Sequence, residues 1–247
     1  MQKALCCVSM VIVMIMLLGF PMGIVHAGEY AIPPVETVGF DSPQDNIYFP
    51  REIGTTYVYE AETEDELAQN FVTITSDTIW IRGVECNVIH DVEYVYTEAC
   101  GWLMTEETYD YHAWDNNGNF WYFGEDTIAY EYDEEDCTLI DSSTAGAWNA
   151  DIPGAEPGIV MLADPMPGMS YRQEYYEEEA EDMGKVLKLN EKVTIDYGDF
   201  EDCLKTKEWT PLAPGEVEHK YYAPGVGLVF IEELKGKTVK VELIDKY

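Results

Sequence analysis

Short runs of alternating apolar and polar residues recur along the chain from Thr56 onward. TYVYEA, NFVTIT, CNVIHDVEYV and TVKVELI are rich in β-branched and aromatic residues, and turn-forming residues separate such runs. A two-residue period places side chains alternately on the two faces of a strand. The pattern predicts an all-β protein, a single antiparallel meander curved into a half-barrel or a sandwich. Only Glu64 to Asn70 and Asp199 to Leu204 are expected to form short helical turns.

The same pattern divides the chain into three segments. After Lys3, residues 4–25 are almost all apolar, and VHA precedes Gly28, which is typical of a signal peptide spanning residues 1–27. A retained membrane anchor is the alternative, because this run approaches the roughly 20 residues that span a bilayer. Residues 28–50 contain four prolines and no period, which predicts an extended lead-in. Residues 51–247 are expected to form one antiparallel β domain.

The signal peptide predicts export to the periplasm or the extracellular medium, where disulfides form. Four cysteines follow residue 27, and no pair has the CxxC spacing of a zinc or redox site. Two disulfides with three possible connectivities are therefore expected. The connectivity that we favour joins Cys86 to Cys203 and Cys100 to Cys137.

Acidic residues dominate the charge: 48 Asp and Glu stand against 14 Lys and Arg, for a net charge of −34. Such a field repels nucleic-acid phosphates and anionic lipid headgroups, so neither nucleic acid nor a membrane surface is an expected partner. A small molecule or a basic, cationic partner is more compatible with it. The 18 Tyr, 8 Phe and 6 Trp indicate a packed fold rather than a disordered acidic chain.

The stretch DNNGNFWYFGEDT, residues 115–127, offers two interpretations. Asp115, Asn117, Asn119 and Asp126 have the spacing of oxygen ligands in a calcium loop. However, Phe120 occupies the position where that loop needs glycine, and the twelfth position lacks glutamate. The alternative is a β-hairpin with Asn117-Gly118 as a two-residue type I′ turn, which is the stronger signal.

A two-residue turn fixes the register of that hairpin by counting outward. It predicts three cross-strand pairs on one face: Trp114 with Trp121, His112 with Phe123, and Asp110 with Glu125. The last pair would bring two carboxylates to about 5 Å at Cβ. Three interpretations stay open for them: a solvated acid pair, a cation site, or acid–base catalysis. The cation site, with calcium, would use Asp110, Asp115, Glu125 and Asp126; the catalytic group of a hydrolase would be Asp110, His112 and Glu125.

Aromatic side chains beside the same hairpin are candidates for a ligand surface. Rings offer a large contact area with a polar edge, so a binding face could be built from Trp114, Trp121, Tyr122 and Phe123. The alternative is that these rings form the core of the sheet. No GxSxG motif or glycine-rich phosphate loop is present. We therefore expect a non-catalytic binding or structural protein, with a calcium-stabilised module and a carboxylate hydrolase as alternatives.

Several long segments resemble those of a known group of proteins. NIYFPREIGTTYVYEAETE, DNNGNFWYFGEDT, YRQEYYEEEAEDM and CLKTKEWTPLAPGEVEHKYYAPGVGLV are similar to the signature segments of a widespread family of secreted bacterial proteins of unknown function. That resemblance implies export and no particular activity. The hairpin YYAPGVGLVF is also similar to the last strands of periplasmic lipoprotein-carrier-like half-barrels. This second resemblance implies an open sheet curved around an apolar groove.

Overall fold

The computed structural model describes residues 30–63, 66–133, 135–235 and 237–247. Fifteen strands form one large antiparallel sheet, and no α-helix occurs in these ranges, which confirms the predicted all-β class. The signal peptide predicted at residues 1–27 lies outside the described residues. No helix in the described part of the chain is long and apolar enough to cross a membrane.

The strands follow the alternating runs of the sequence, several of which merge into one longer strand. In chain order they are β1 (Thr56–Glu62), β2 (Leu67–Ile81), β3 (Val84–Thr97), β4 (Gly101–Trp114), β5 (Phe120–Tyr132), β6 (Leu139–Ser143), β7 (Trp148–Asn149), β8 (Glu156–Met161), β9 (Ser170–Arg172), β10 (Glu174–Tyr175), β11 (Met183–Ile195), β12 (Gly198–Trp209), β13 (Val217–Ala223), β14 (Gly227–Lys235) and β15 (Lys237–Lys246).

Hairpin connections place most sequence neighbours side by side in the sheet. The hydrogen-bonded order is β10-β8-β5-β4-β3-β2-β1-β15-β14-β13-β12-β11-β9, and β6 and β7 also pair with β5. The first and last strands of this path, β10 and β9, follow one another in the chain and are joined through Gln173. The sheet is not closed into a barrel, although one short stretch of backbone supplies both of its ends.

Two segments that were expected to turn helically belong to strands instead. Asp199 to Leu204 lies within β12, and Leu67 to Asn70, in the described part of the other segment, begins β2. The β2 segment pairs with β1 and β3, and the β12 segment pairs with β11 and, at Leu204, with β13, so cross-strand pairing overrides the local preference. The helical turn that the structure describes is a 3₁₀ turn at Val35–Thr37, in the lead-in.

The lead-in residues from Tyr30 to Pro50 pack against the sheet. The ring of Phe49 stacks on Phe120 with centroids 3.9 Å apart, and Trp114 Nε1 donates a hydrogen bond to the Phe49 carbonyl at 2.9 Å. Farther along, Asn46 Nδ2 donates to the Gly118 carbonyl at 2.8 Å. The lead-in thereby covers the start of β5 and contributes to the single hydrophobic core, to which strands from β1 to β15 contribute.

Candidate functional site

The β4–β5 hairpin exists, but its loop is one residue longer than the sequence predicted. Gly118 N–H donates to the Asp115 carbonyl at 3.1 Å, and Asp115 N–H donates to the Asn119 carbonyl at 3.0 Å. Gly118 adopts φ +91°, whereas neither Asn116 nor Asn117 has a positive φ. This is the three-residue loop that ends in a left-handed glycine, rather than a two-residue type I′ turn.

The longer loop shifts the register next to the turn by one residue. Trp114 pairs with Phe120 and His112 with Tyr122, so the predicted partners Trp121 and Phe123 are wrong. A bulge then adds one residue to β5 at Phe123 and Gly124, where Gly124 takes φ +121°. Beyond the bulge the predicted register returns, and Asp110 pairs with Glu125 as expected.

Asp115 stabilises this loop from inside. Its carboxylate is buried and accepts hydrogen bonds from the backbone N–H groups of Asn117 at 2.8 Å and Asn119 at 2.9 Å. It also accepts from the Asn119 amide at 2.7 Å and from Trp121 Nε1 at 3.0 Å. Asp115 is therefore engaged in holding the turn.

The aromatic side chains proposed as a ligand surface are part of the core. Trp114, Trp121, Tyr122 and Phe123 are all buried, three of them as consecutive residues and therefore on both faces of β5. Phe40 packs edge-on against Trp121 and Phe123, with ring centroids 5.8 Å apart in each case. The lead-in thus covers Trp121 and Phe123, whereas Tyr122 packs against Trp148. The prediction of an aromatic binding face at these positions is wrong, because all four rings are buried.

The paired carboxylates Asp110 and Glu125 lie in the interior. Tyr122 O–H donates to Asp110 Oδ1 at 2.9 Å. Burial raises the pKa of Asp110 to about 7. The pKa of Glu125 is raised well above its ordinary value by burial, and then by the neighbouring charges of Asp110 and Glu174. The interpretation as a solvated surface pair is therefore wrong, because both side chains are removed from water.

More acids continue this cluster along the interior. Burial, together with the charge of Asp110, raises the pKa of Asp91 on β3. Glu174 on β10 has its pKa raised by burial and by the charges of Asp182 and Asp110, and its Oε2 atom has no hydrogen-bond partner in the part of the chain that the structure describes. We call Asp91, Asp110, Glu125 and Glu174 the interior acid cluster. Its members favour their neutral forms because burial penalises ionisation.

A different arrangement surrounds the buried Glu208 on β12. Burial alone would raise the pKa of Glu208, but Lys220 forms an ion pair with it at 3.0 Å and Thr206 O–H donates to it at 2.8 Å. These partners leave the pKa of Glu208 below its ordinary value. The contrast shows what the interior acid cluster lacks among the described residues, namely a cation of this kind at ion-pairing distance.

His112 does not join Asp110 and Glu125 as a catalytic partner. Its Nδ1 lies 3.1 Å from the Trp121 carbonyl, and its ring stacks on Phe120 with centroids 4.4 Å apart. Burial lowers the pKa of His112 to about 3. The imidazole is therefore neutral and packed among aromatic rings, and no hydrogen bond connects it to either carboxylate in the described contacts.

The four carboxylates expected to hold calcium serve separate contacts. Asp115 caps the hairpin loop, Asp126 accepts a hydrogen bond from Tyr111 O–H at 2.7 Å, and Asp110 and Glu125 face each other in the interior. Within the described ranges, no group of three or more His, Cys, Asp or Glu side chains has the arrangement of a metal site. Calcium binding stays a prediction, which a thermal melt with and without chelator would test.

One of the two expected disulfides is present. Cys100 and Cys137 are bridged with their Cα atoms 5.6 Å apart, and they join the β3–β4 turn to the β5–β6 turn. Cys86 and Cys203 are instead free, buried thiols, which corrects the predicted second bridge. The reason is topological, since β3 and β12 are separated by five other strands along the hydrogen-bonded sheet.

An open groove of about 420 Å³ lies on the face of β1 to β4 that points away from the interior acid cluster. We call this face, which bears Phe71 and His90, the open face, because it lies opposite the interior acid cluster. The groove is lined by residues of β1, β2 and β3, among them the apolar Val92 and Phe71. Its aromatic and polar lining includes Gln69, Phe71, His90, Tyr94, Trp102 and Tyr247.

Several rings around the open-face groove are ordered by contacts with one another. Phe71 and Tyr94 meet edge to face with centroids 5.7 Å apart, and His90 stacks on Tyr109 at 4.6 Å. Trp102 remains 42% exposed, and Tyr247 remains 67% exposed. Aromatic surface of this kind, with polar groups alongside, is what a small-molecule site requires.

Two carboxylates flank the open-face groove. Glu107, which pairs with Val92 on the neighbouring strand, accepts a hydrogen bond from Tyr109 O–H at 3.1 Å and lies 3.0 Å from His90 Nε2. On the other side, Glu60 pairs with Gln69 and accepts its amide N–H at 2.8 Å. These contacts fix acidic groups beside the aromatic lining.

Sequence reasoning missed every residue of the open-face groove. A signal was present in CNVIHDVEYV, where His90, Val92 and Tyr94 alternate with the acids Asp91 and Glu93. The alternation separates an aromatic face from an acidic face. It was uninformative on its own because alternation does not say which face the rest of the chain will cover.

Comparison with known proteins yields two structural similarities. No protein-family model matches the sequence, and no curated protein matches it significantly. A crystal structure described as a "putative lipoprotein" from Parabacteroides distasonis has a TM-score of 0.38 and 11% identity, covering 83% of this chain and 100% of that one. A second, described as a "putative exported protein with YmcC-like fold" from Bacteroides fragilis, has a TM-score of 0.33 and 15% identity, covering 82% and 99%.

Proposed function

We propose that this chain is an exported, non-catalytic binding protein whose small-molecule ligand occupies the open-face groove. The observation that carries the proposal is the groove itself. It combines about 420 Å³ of space, several rings and polar side chains on one sheet face, while the opposite face is occupied by the core. Sites for small molecules are concave and largely apolar, with a few polar groups that orient the ligand.

Binding is favoured over catalysis by where the titratable groups lie. The carboxylates with the raised pKa values, Asp110 and Glu125, are buried on the covered face together with the neutral His112. A general acid or base must come within hydrogen-bonding distance of its substrate, and these groups face the interior of the fold. The groove therefore offers contact area and orientation to a ligand.

The Cys100–Cys137 disulfide supports the exported location. Disulfides of this kind form and persist in the periplasm and outside the cell, and they are rare in reducing compartments. The proposed binding site would then meet ligands of the periplasm or the extracellular medium.

The test is a screen of a water-soluble fragment library, followed by nitrogen–proton correlation NMR. We expect bound fragments to shift the indole N–H signal of Trp102, and Trp102→Ala to weaken their binding at least about ten-fold, as loss of a central aromatic contact does. Trp80→Ala is the matched control, because Trp80 is 65% exposed and does not line the groove. Equal weakening in both variants, or shifts confined to other surfaces, would contradict the proposal.

A further inference from the structure

We propose that the ligand of the open-face groove is an organic cation, an ammonium or guanidinium group attached to an apolar body. This inference rests on the proposed function, since it names the ligand class for the same groove. It follows from the chemistry of the lining, from the carboxylates beside it and from the charge of the whole protein.

The lining itself offers nothing that would oppose a cation strongly. Among the described residues that line the groove there is no lysine or arginine, and the one basic side chain, His90, lies 3.0 Å from Glu107. An anionic ligand would therefore meet no fixed cation of its own to pair with. It would also meet two carboxylates, Glu60 and Glu107, on opposite sides of the site.

Those two carboxylates keep acceptor capacity for a ligand. An ionised carboxylate has about four lone-pair positions. Glu60 accepts one hydrogen bond from Gln69 at 2.8 Å, and Glu107 has contacts with Tyr109 and His90 through Oε1. The partners orient each carboxylate at the groove edge while leaving further positions for ligand N–H donors or for direct charge attraction.

The rings supply the second half of the recognition. An aromatic face carries partial negative charge and attracts a cation that lies within about 6 Å of its centre, with Trp the strongest and Tyr and Phe weaker. Trp102 and Tyr247 are the exposed rings of the groove, and Tyr94 lies beside them, held edge to face by Phe71. The apolar body of the ligand would lie over Phe71 and Val92.

The net charge of the chain acts in the same direction. With 48 acidic and 14 basic side chains, the protein concentrates cations near its surface and repels anions. A neutral sugar could also stack on the same rings and donate hydroxyl hydrogen bonds to the two carboxylates, but it would gain nothing from this field or from charge attraction. The cation is thus the ligand class that uses every feature of the groove.

The experiment compares three probes that share a phenyl ring and differ in charge, by isothermal titration calorimetry: benzyltrimethylammonium, benzyl alcohol and benzoate. We expect benzyltrimethylammonium to bind at least about ten-fold more tightly than benzyl alcohol, and benzoate to bind most weakly. Raising NaCl from about 0.1 M to about 1 M shortens the Debye length from about 10 Å to about 3 Å, and should weaken only the cation's binding.

Two charge-neutralising variants separate the local site from the overall field. Glu107→Gln keeps an oxygen that can accept from Tyr109 but removes the charge beside the groove, so cation affinity should fall several-fold while benzyl alcohol binds unchanged. Glu201→Gln removes one charge from β12, seven strands away from β4 along the sheet, and should leave the cation's affinity unchanged. Thermal melts verify that each variant is folded.

The outcomes distinguish the two proposals. Tightest binding of the cation, lost selectively in Glu107→Gln, supports the inference. If benzyl alcohol or benzoate binds as well as the cation and Trp102→Ala abolishes that binding, the cation inference is overturned and groove binding stands. If no probe binds and the fragment screen finds nothing at Trp102, both proposals are overturned. Equal losses of cation affinity in Glu107→Gln and Glu201→Gln would also overturn the cation inference, by showing that only the overall field attracts the cation.

Discussion

Replacing Asp110 with asparagine should make the stability of the protein less dependent on pH. The folded state raises the pKa of this carboxyl from 3.8 to about 7, chiefly through burial. Between these two values the unfolded chain is ionised while the folded chain keeps its proton, so the folded state binds more protons. The stabilisation is fully present below the unfolded pKa and is lost as the pH rises through about 7.

The magnitude follows from that shift. A carboxyl that is protonated in the folded state and ionised in the unfolded state lowers the free energy of unfolding by about 1.4 kcal/mol for each unit by which the pH rises. From about pH 5 to about pH 7 the loss for Asp110 is about 2 kcal/mol, since the folded group begins to ionise near the upper end. Asp91, Glu125 and Glu174 face Asp110 from β3, β5 and β10, and their raised pKa values act in the same direction.

Urea unfolding followed by tryptophan fluorescence, at half-unit steps between about pH 5 and about pH 8, measures the effect. Asparagine keeps an oxygen that can accept the hydrogen bond from Tyr122. The substitution removes the titration of residue 110 and the effect of its negative charge on the neighbouring acids. We therefore expect the dependence of the unfolding free energy on pH to flatten by at least about 1 kcal/mol per pH unit. Asp77→Asn is the control, because Asp77 is an exposed aspartate on β2, and it should keep the wild-type slope.

The reasoning would be refuted by a wild-type protein that is as stable at about pH 8 as at about pH 5. It would also be refuted if the Asp110→Asn variant kept the wild-type slope, because the buried carboxyl would then not carry a proton into the folded state. A lower overall stability of the variant would not matter, since the comparison is between slopes.

Three further predictions concern the packing of the fold. Gly124→Ala should lower the free energy of unfolding by more than about 2 kcal/mol, because Gly124 has φ +121° and an added Cβ would overlap the Trp148 carbonyl. Urea unfolding measures this free energy, and an unchanged value would contradict the described bulge. Phe49→Ala should cost about 2–3 kcal/mol through its lost stacking, read as a lowered Tm, and an unchanged Tm would show that the lead-in does not contribute to the core. Reducing the Cys100–Cys137 bridge, which spans 37 residues, should cost about 4 kcal/mol in urea unfolding, and equal midpoints with and without reductant would contradict it.

The β4–β5 hairpin shows what local sequence can and cannot predict. Both strands and the Asp110–Glu125 pair were predicted correctly, yet the pairs beside the turn were wrong by one residue. The Asn-Gly dipeptide favours a two-residue loop. The three-residue loop forms instead, because the Asp115 side chain accepts hydrogen bonds from its backbone N–H groups. The bulge at Gly124 then restores the register by adding one residue to β5, and the backbone of β7 lies so close there that only glycine fits.

The location of the open-face groove could not be predicted from alternation. Alternation identifies two faces of a strand, but covering one of them requires another part of the chain. Phe40 and Phe49 come from a segment without any period, and they bury Trp121 and Phe120. The lead-in's role depends on long-range packing, which leaves no local pattern, so the sequence left open whether the rings nearest the hairpin form a ligand surface or the core.

The prediction of the second disulfide was wrong for a related reason. An even number of cysteines in an exported chain predicts bridges, and Cys100–Cys137 follows from the adjacency of two turns at one end of neighbouring hairpins. Pairing Cys86 with Cys203 would require β3 and β12 to come together. Their separation in the sheet depends on β15 pairing with β1, a contact between the two ends of the domain that cysteine counting does not register.

The continuity of β9 and β10 ties the two edges of the sheet together through Gln173. Ser170–Arg172 completes the sheet at β11, and Glu174–Tyr175 completes it at β8 on the opposite edge. A protease that cut near Gln173 would remove the covalent link between the two edges, and neither fragment alone would keep all its strand partners, because β9 pairs with β11 and β10 pairs with β8 across the cut. We therefore expect nicked chains to unravel rather than to persist as a stable half-molecule. Tolerance to insertion should accordingly be lowest at this point of the backbone.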